Sequence, residues 1–571
     1  MERTLTTISS PPQRTELVEQ LTAAGQPFEL VDQVVRGIPM RVYSTGPQTL
    51  REMLLESAAF GDRPFTVYGD EHVTYAEHIR LVAGLAQYLR QEYGLSKGDR
   101  IAVAMRNYPE WAPVFFAGQV LGVVVVPLNA WWTAPELVYG LTDAGAKLVV
   151  ADAERTALLA QHLPDVPMIE VRGTEPSRPG VRTWHDVLNA LDPDASIPDV
   201  EVDPDDDATI LYTSGTTGKP KGAVGSHRNH CTNVRNTLLG GVVSAAIVAG
   251  GEIPVPDPAA PQPGTLCTFP LFHIAGVSGL TTSIAAGGKL ALQYKWDVDE
   301  ACELLEREHL TSFVGVPTVV RQFVAALAER PAAGTSLMGI AAGGSPIPPD
   351  LVGRIGTIER APGNGYGLTE TTSAVVSNGG ADYLARPDSV GRCQPNADLR
   401  IVDPVTGDAV PDGQIGELWF RGPNVVRGYW NNPDATASAF VDGWFRTGDL
   451  GFVTDDWVYV ADRIKDVIIR GGENIYCAEV EAALFEHEGV EDVALVGIPH
   501  ESLGEVAVAV IVPRSDANVA VGDIQQHVAG RLASFKVPEH VIFQDEPLPR
   551  TPTGKILKRD LRTTVLDGMD A

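Results

Sequence analysis

The chain has 571 residues, too many for one ordinary core, so two or more domains are expected, one of them large. Hydrophobic residues at 44% and charged residues at 20% exclude a disordered or fibrous chain. The 73 acidic residues against 44 basic ones give a formal charge of −29, which repels nucleic acid and anionic lipid and requires a local basic site for any anionic substrate.

Residues 1–50 read as a polar lead-in with short helical patterns, and their first residues lack the apolar core of a signal peptide. From 51 to about 200, helical segments (LREMLLESAAF, YAEHIRLVAGLAQYLRQEY, TAPELVYGLTDAGA) alternate with β-branched runs (RIAVAM, VVVVPLN, KLVVAD). That rhythm marks an α/β layered fold with parallel strands. The apolar stretch Trp111–Leu128 is broken by Gln119, glycines and prolines, so it reads as a buried helix followed by a buried strand, with no integral membrane segment. The same rhythm returns after residue 265, past an Ala/Pro/Gly-rich insert at 250–264 that reads as a surface loop. Beyond about 385 the pattern turns β-rich. From about 466 it becomes a small α+β unit, which divides the chain into a large domain, 51–464, and a C-terminal cap, 465–571. The five cysteines are scattered without CxxC spacing, as buried thiols of a reducing, cytoplasmic setting would be. Peripheral contact with membranes stays open, as does a homodimer.

The segment YTSGTTGKPKG (212–222) holds three glycines, four hydroxyls (Thr213, Ser214, Thr216, Thr217) and two lysines (Lys219, Lys221) after the run ATIL, read as a strand. Gly215 and Gly218 let backbone N–H groups curl around an anion while the side chains add donors and charge. It fails the Walker A pattern, and a flexible polar turn is the plain alternative. In NGYGLTE (364–370), glycines permit close backbone approach, Tyr366 offers a ring face and Glu370 a hard oxygen ligand; alone, the string would read as a turn before a helix. Asp449 in WFRTGD reads alone as a turn former, Lys555 in TPTGKIL as a solvated lysine, and His273 in FPLFHIAGV as a packed core histidine. There is no HExxH, GxSxG or Cys/His cluster to support a metalloprotease or serine hydrolase.

Taken in order, YTSGTTGKPKG, NGYGLTE, WFRTGD, DRIKDVIIRGGENI (462–475) and PRTPTGK (549–555) resemble the signatures of the adenylate-forming superfamily: acyl-CoA synthetases, firefly-type luciferases and peptide-synthetase adenylation domains. The resemblance runs from about residue 50 to the chain's end and is closest to fatty-acid–CoA ligases. It implies an ATP- and Mg²⁺-dependent enzyme that makes an acyl-adenylate from a carboxylic acid and passes the acyl group to coenzyme A. It further implies that residues 213–221 hold phosphates, Glu370 the metal and Thr369 the phosphates, and that Tyr366 stacks on adenine. Asp449 would take the ribose hydroxyls and Arg463 would support ribose and phosphate. Gly343 and Gly344 in AAGGSPI (341–347), with Asn364, Gly365 and Gly367, would line the adenine and acyl sites. Lys465 would be the hinge of a mobile cap, Lys555 the lysine that the cap delivers, and Gly471 and Gly472 the loop presented after it turns.

The acyl pocket is then expected between His273, Gly276 and Val277, Gly315 and Val316, Ala342 and Gly343, and Gly367, with His273 a gate more than a base. These residues are small or apolar, which favours an uncharged tail: first a medium- or long-chain fatty acid, then an aryl or ring-bearing acid. An aminoacyl substrate would need a buried carboxylate for its ammonium group. Loading of a carrier protein, or a non-enzymatic ATP-binding relative, are the rival readings.

Overall fold

The computed structural model describes residues 11–163, 165–173, 179–213, 219–255, 257, 260–515, 517–551 and 554–569. Helix boundaries follow local chemistry. Thr49 and Thr74 each accept the backbone N–H three residues on, while Glu52, Glu77 and, at Thr133, Glu136 reach back to the cap N–H. These reciprocal bonds satisfy donors that the first helical turn leaves unpaired. Gly94 and Gly145, both left-handed, end the second and third of those helices.

Two large sheets form the body. In a seven-stranded sheet the order is Lys221–Ser226, Asp207–Thr213, Val124–Pro127, Arg100–Ala104, Leu148–Asp152, Met168–Val171, Val181–Thr183. It is parallel apart from the antiparallel edge strand Lys221–Ser226. The central members of a nine-stranded sheet, Ala361–Leu368, Gly339–Gly343, Ser312–Gly315, Gly264–Cys267, Lys289–Leu292 and Pro64–Tyr68, are parallel too. Helix Trp111–Val120 packs between the layers with every residue buried, and its Gln119 amide donates to the Ala208 carbonyl at 3.1 Å. Among the described residues no helix is long and apolar enough to cross a membrane. The expected helix-then-strand reading of Trp111–Leu128 therefore holds, as does the α/β class.

A smaller antiparallel sheet, Asp398–Val402, Gly416–Arg421, Trp444–Thr454 and Phe440–Val441, with Trp457–Arg463 alongside, follows. From Ile468 the strands belong to a separate sheet built on the long hairpin Val490–His500 and Gly504–Pro513, with helices Cys477–Phe485, Val521–Ala529 and Lys558–Met569 against it. In the lead-in, Pro11–Thr22 forms a short helix as expected, while Leu30–Val35 and Ile38–Tyr43 pair as an antiparallel hairpin turned by Arg36 and Gly37 at positive φ. β-branched residues and a two-residue turn outweigh the weak helical period there. At the insert, the described residues 250–255, 257 and 260–263 carry neither helix nor strand, and Val255 is exposed.

Candidate active site

The polar part of the site gathers where the two body sheets and the small sheet meet. Thr213 ends one strand directly opposite Lys221 on the next. The connection between them, which holds Ser214, Gly215, Thr216, Thr217 and Gly218, lies outside the described residues. Lys219 Nζ sits 5.0 Å from the centre of the Tyr139 ring and Lys221 Nζ 5.1 Å from that of Tyr429. Tyr429 in turn donates its hydroxyl to Glu370 Oε1 at 2.7 Å. One aromatic ring thus links a lysine of the phosphate segment to the candidate metal ligand.

Glu370 lies in a single 3₁₀ turn, Thr369–Thr371, at the end of strand Ala361–Leu368. It is only 8% exposed. Burial raises its carboxyl above the usual range, while the Tyr429 bond and the charges of Arg463 and Lys221 pull the other way. A lone, oriented carboxylate suits Mg²⁺, which takes one or two protein carboxylates and fills its remaining positions with phosphate oxygens and water. Among the described residues no group of three or more His, Cys, Asp or Glu is poised to hold a metal unaided.

The strand that carries NGYGL runs parallel to Gly339–Gly343, with Gly343 opposite Gly365 and Ala342 opposite Asn364. On its other side it bulges against Ser373–Gly379 between Tyr366 and Gly367. A Cβ on Gly367 would stand 1.9 Å from the Ser373 carbonyl oxygen, so the bulge admits only glycine. Tyr366 donates to Asp449 Oδ2 at 2.8 Å, and Arg463 Nε stands 3.3 Å from Asp449 Oδ1. Asp449 and Arg463 are register partners on adjacent strands, which accounts for their spacing in the sequence. Asp449 therefore lies within strand Trp444–Thr454 and not at a turn, because its backbone is paired by Trp457–Arg463.

The cap reaches this cluster. Lys555 follows Gly554, which has φ +78° and faces the pocket wall: a Cβ there would be 3.1 Å from Val316. Burial, then Arg463 and Lys465, push the Lys555 ammonium down to about 7 against the opposing pull of Asp449 and Asp466. Lys555 is thus within the field of the Asp449–Arg463 pair. Lys465 itself is exposed on the chain linking body and cap, and its ammonium is lowered, first by partial burial. Gly471 and Gly472 turn the hairpin Ile468–Arg470/Glu473–Ile475 and line a shallow depression with Leu503, Gly504 and Glu505.

The apolar part lies alongside. His273 caps helix Ile274–Ala286, its Nδ1 accepting from the Ala275 N–H at 3.2 Å. Its ring stacks on Phe269 at 6.3 Å between centroids and 20° between planes. Burial lowers it to about 4, so it is neutral at pH 7. Gly276 is needed where the helix's first turn meets the Pro270 carbonyl, 2.2 Å from any added Cβ. A Cβ on Gly344 would touch both Phe269 at 3.5 Å and Val316 at 3.8 Å, so Phe269, His273, Val316 and Gly344 form one wall. Gly315 ends the strand that leads into Val316. Val277 and Ala342 belong to packed cores beneath this wall, with Leu280 and Ile284 and with Phe313 and Phe323 respectively. Tyr429 and Phe269 went unread in the sequence: each is one aromatic among 39 (14 Tyr, 16 Phe and 9 Trp), and only the fold puts it beside Glu370 or His273.

This arrangement agrees with what the chain is similar to. Residues 55–430 match the family model described as AMP-binding enzyme, and residues 479–555 match its C-terminal domain. Feruloyl-CoA synthase of Amycolatopsis sp is 36% identical over 87% of this chain and 94% of its own length. The long-chain-fatty-acid–CoA ligase FadD13 of Mycobacterium tuberculosis is 34% identical over 86% and 93%. Among solved structures, o-succinylbenzoate coenzyme A synthetase of Bacillus subtilis in complex with ATP and magnesium superposes with a TM-score of 0.75, at 28% identity over 89% of this chain and 98% of that one. With both family models matched and a buried Glu370 carboxylate near a Tyr366–Asp449–Arg463 cluster, the chain belongs to the AMP-binding, adenylate-forming enzymes as an AMP-forming acid–CoA ligase that uses ATP, Mg²⁺ and coenzyme A.

Proposed function

We propose that the acid is an aryl acid of the arylpropenoate kind, activated as its adenylate before transfer to coenzyme A. The observation that carries this is the stacked Phe269–His273 pair facing Gly344 and Val316, with Gly554 of the cap against Val316. Flat rings beside Gly344, which lacks a side chain, would suit an aromatic plane, since ring–ring contacts add about 0.5–1.5 kcal/mol to burial. The feruloyl-CoA synthase likeness supports the same choice. The fatty acid that apolar lining alone put first becomes the second reading, favoured by the likeness to FadD13.

In the adenylation step the substrate carboxylate attacks the α-phosphorus of ATP and pyrophosphate leaves. Lys219, Lys221 and the segment between Thr213 and Lys219 hold the departing phosphates. Glu370 would hold Mg²⁺, which would supply charge neutralisation for the phosphates, and Thr369, in the same turn, would contact the phosphates. Asp449 receives the ribose hydroxyls, with Tyr366 and Arg463 fixing its two oxygens. Lys555 meets the charge that develops between carboxylate and α-phosphate. The cap then turns about Lys465, withdraws Lys555 and presents Gly471 and Gly472, and the coenzyme A thiol attacks the acyl carbonyl to release AMP. One pocket cannot complement both transition states, so two orientations serve two reactions.

Pyrophosphate release measured across hydroxycinnamic acids and saturated acids of graded length tests the substrate. The expected result is a kcat/KM for the best hydroxycinnamate at least about tenfold above every saturated acid, a difference of about 1.4 kcal/mol. The reverse order would return the pocket to a fatty acid.

A further inference from the structure

A buried ionic cluster bridges the two sides of the Lys465 link. Asp462, 8% exposed, ends the body strand Trp457–Arg463. Its Oδ1 accepts from the Arg463 N–H at 2.8 Å, and its Oδ2 accepts from the Cys477 N–H at the start of the first cap helix. That helix also carries Glu481, whose Oε1 lies 2.7 Å from Lys558 Nζ and accepts from the Leu495 N–H at 2.7 Å. Lys558 starts the last cap helix, three residues after Lys555. The sequence reads KILKRDLR as a basic helix face; the fold instead turns Lys558 inward, its side chain 19% exposed.

The contacts have a direction. Asp462 precedes Lys465, whereas Cys477, Glu481 and Lys558 follow it. Burial pushes the Asp462 carboxyl up while the charge of Lys558 pulls it down, so the two groups sense each other across the link. The turn that carries Lys555 is anchored from both ends: Leu557 N–H donates to the Pro549 carbonyl at 2.8 Å and Thr551 N–H to the Lys555 carbonyl at 2.7 Å. Lys558, three residues beyond Lys555, is fixed by Glu481, and its charge acts on the Asp462 carboxyl.

The geometry points to Asp462 as a positioning residue: through Cys477 and Lys558 it holds the cap in the orientation that puts Lys555 beside Asp449, and it loses those partners when the cap turns. This rests on the two-orientation reading given above. It makes the cluster specific to adenylation, because a rotation about Lys465 moves Cys477, Glu481 and Lys558 away from a carboxylate that stays with the body.

The test is the Asp462→Asn enzyme, in which an amide oxygen can still accept from the Cys477 N–H but the charge facing Lys558 is gone. Single-turnover formation of the acyl-adenylate is measured beside conversion of a supplied acyl-adenylate to thioester. Acyl-adenylate formation should fall about tenfold, as a tenfold loss of the competent orientation would give, with thioester formation unchanged or faster. Equal loss in both half-reactions, or no change in either, would overturn the assignment. Should Asp462→Asn not fold, Glu481→Gln, which can keep its bond to the Leu495 N–H, reads the same ratio. The Lys555→Ala enzyme run in parallel separates the two ideas. If it spares thioester formation while Asp462→Asn shows no selectivity, the positioning role alone fails; if it stops both steps, the two-orientation reading fails with it.

Discussion

In the proposed mechanism Glu370 and Lys555 serve one site, and the structure holds them in opposite ways. Glu370 belongs to the body, sits buried at a strand end, and has Tyr429 bonded to one oxygen. Lys555 rides on a turn of the cap, and among the described residues its ammonium has no ion-pair partner; what surrounds it is a field of two cations, Arg463 and Lys465, and two carboxylates, Asp449 and Asp466. A preassembled carboxylate suits a ligand that must be ready before substrate arrives. An unpaired lysine suits a charge needed for only one of two steps, because no strong bond has to be broken to withdraw it. The difference lies in the packing, and it assigns the permanent and the transient parts of the site.

That contrast is broken most directly by Lys555→Ala. Acyl-adenylate formation should fall about 10²–10³-fold, the usual worth of one preorganised donor at developing charge, while thioester formation from supplied acyl-adenylate continues. Equal loss of both would make Lys555 as permanent a fixture as Glu370. Next in size is Tyr429→Phe, which removes the hydroxyl that orients Glu370. The Mg²⁺ concentration giving half-maximal pyrophosphate release should rise about 10–100-fold, with thioester formation from acyl-adenylate unaffected.

The smallest effect is one of pH. Lys555 is depressed to about 7 in the free enzyme, so its cationic form is lost as pH rises through that value. The kcat/KM for ATP in acyl-adenylate formation should therefore decline roughly tenfold from pH 6 to pH 8, since this parameter reports the free enzyme. Bound triphosphate favours the cation, which moves the corresponding limb of kcat to higher pH. Lys555→Arg cannot deprotonate in this range and should flatten the limb. His273 cannot produce the limb, because burial has already lowered it to about 4.

Much of the molecule was legible from local pattern. Helical segments such as Tyr75–Tyr93 and short β-branched runs such as Arg100–Ala104 were read correctly, because these patterns act within a few residues of one another. The site's motifs were legible for a related reason. Gly367 and Gly276 are demanded by backbone contacts a few residues away, with Ser373 and Pro270. Local signals failed where distant pairing decided the outcome: a strand partner kept Asp449 out of a turn, and the lead-in, read only for short helices, also holds the hairpin Leu30–Val35/Ile38–Tyr43.

By itself the sequence determined the layered α/β class and the order of the chemical motifs, since each depends on residue type and near spacing; the acid-activating reaction came from the resemblance those motifs bear to the adenylate-forming superfamily. Only the tertiary structure decided that Tyr429 grips Glu370, that Phe269 stacks on His273, and that Lys558 turns inward toward Glu481. Glu370 and Tyr429 stand 59 residues apart along the chain, and Glu481 and Lys558 77 apart. No local periodicity encodes such pairs; they exist because burial leaves a polar group stable only where folding supplies a partner.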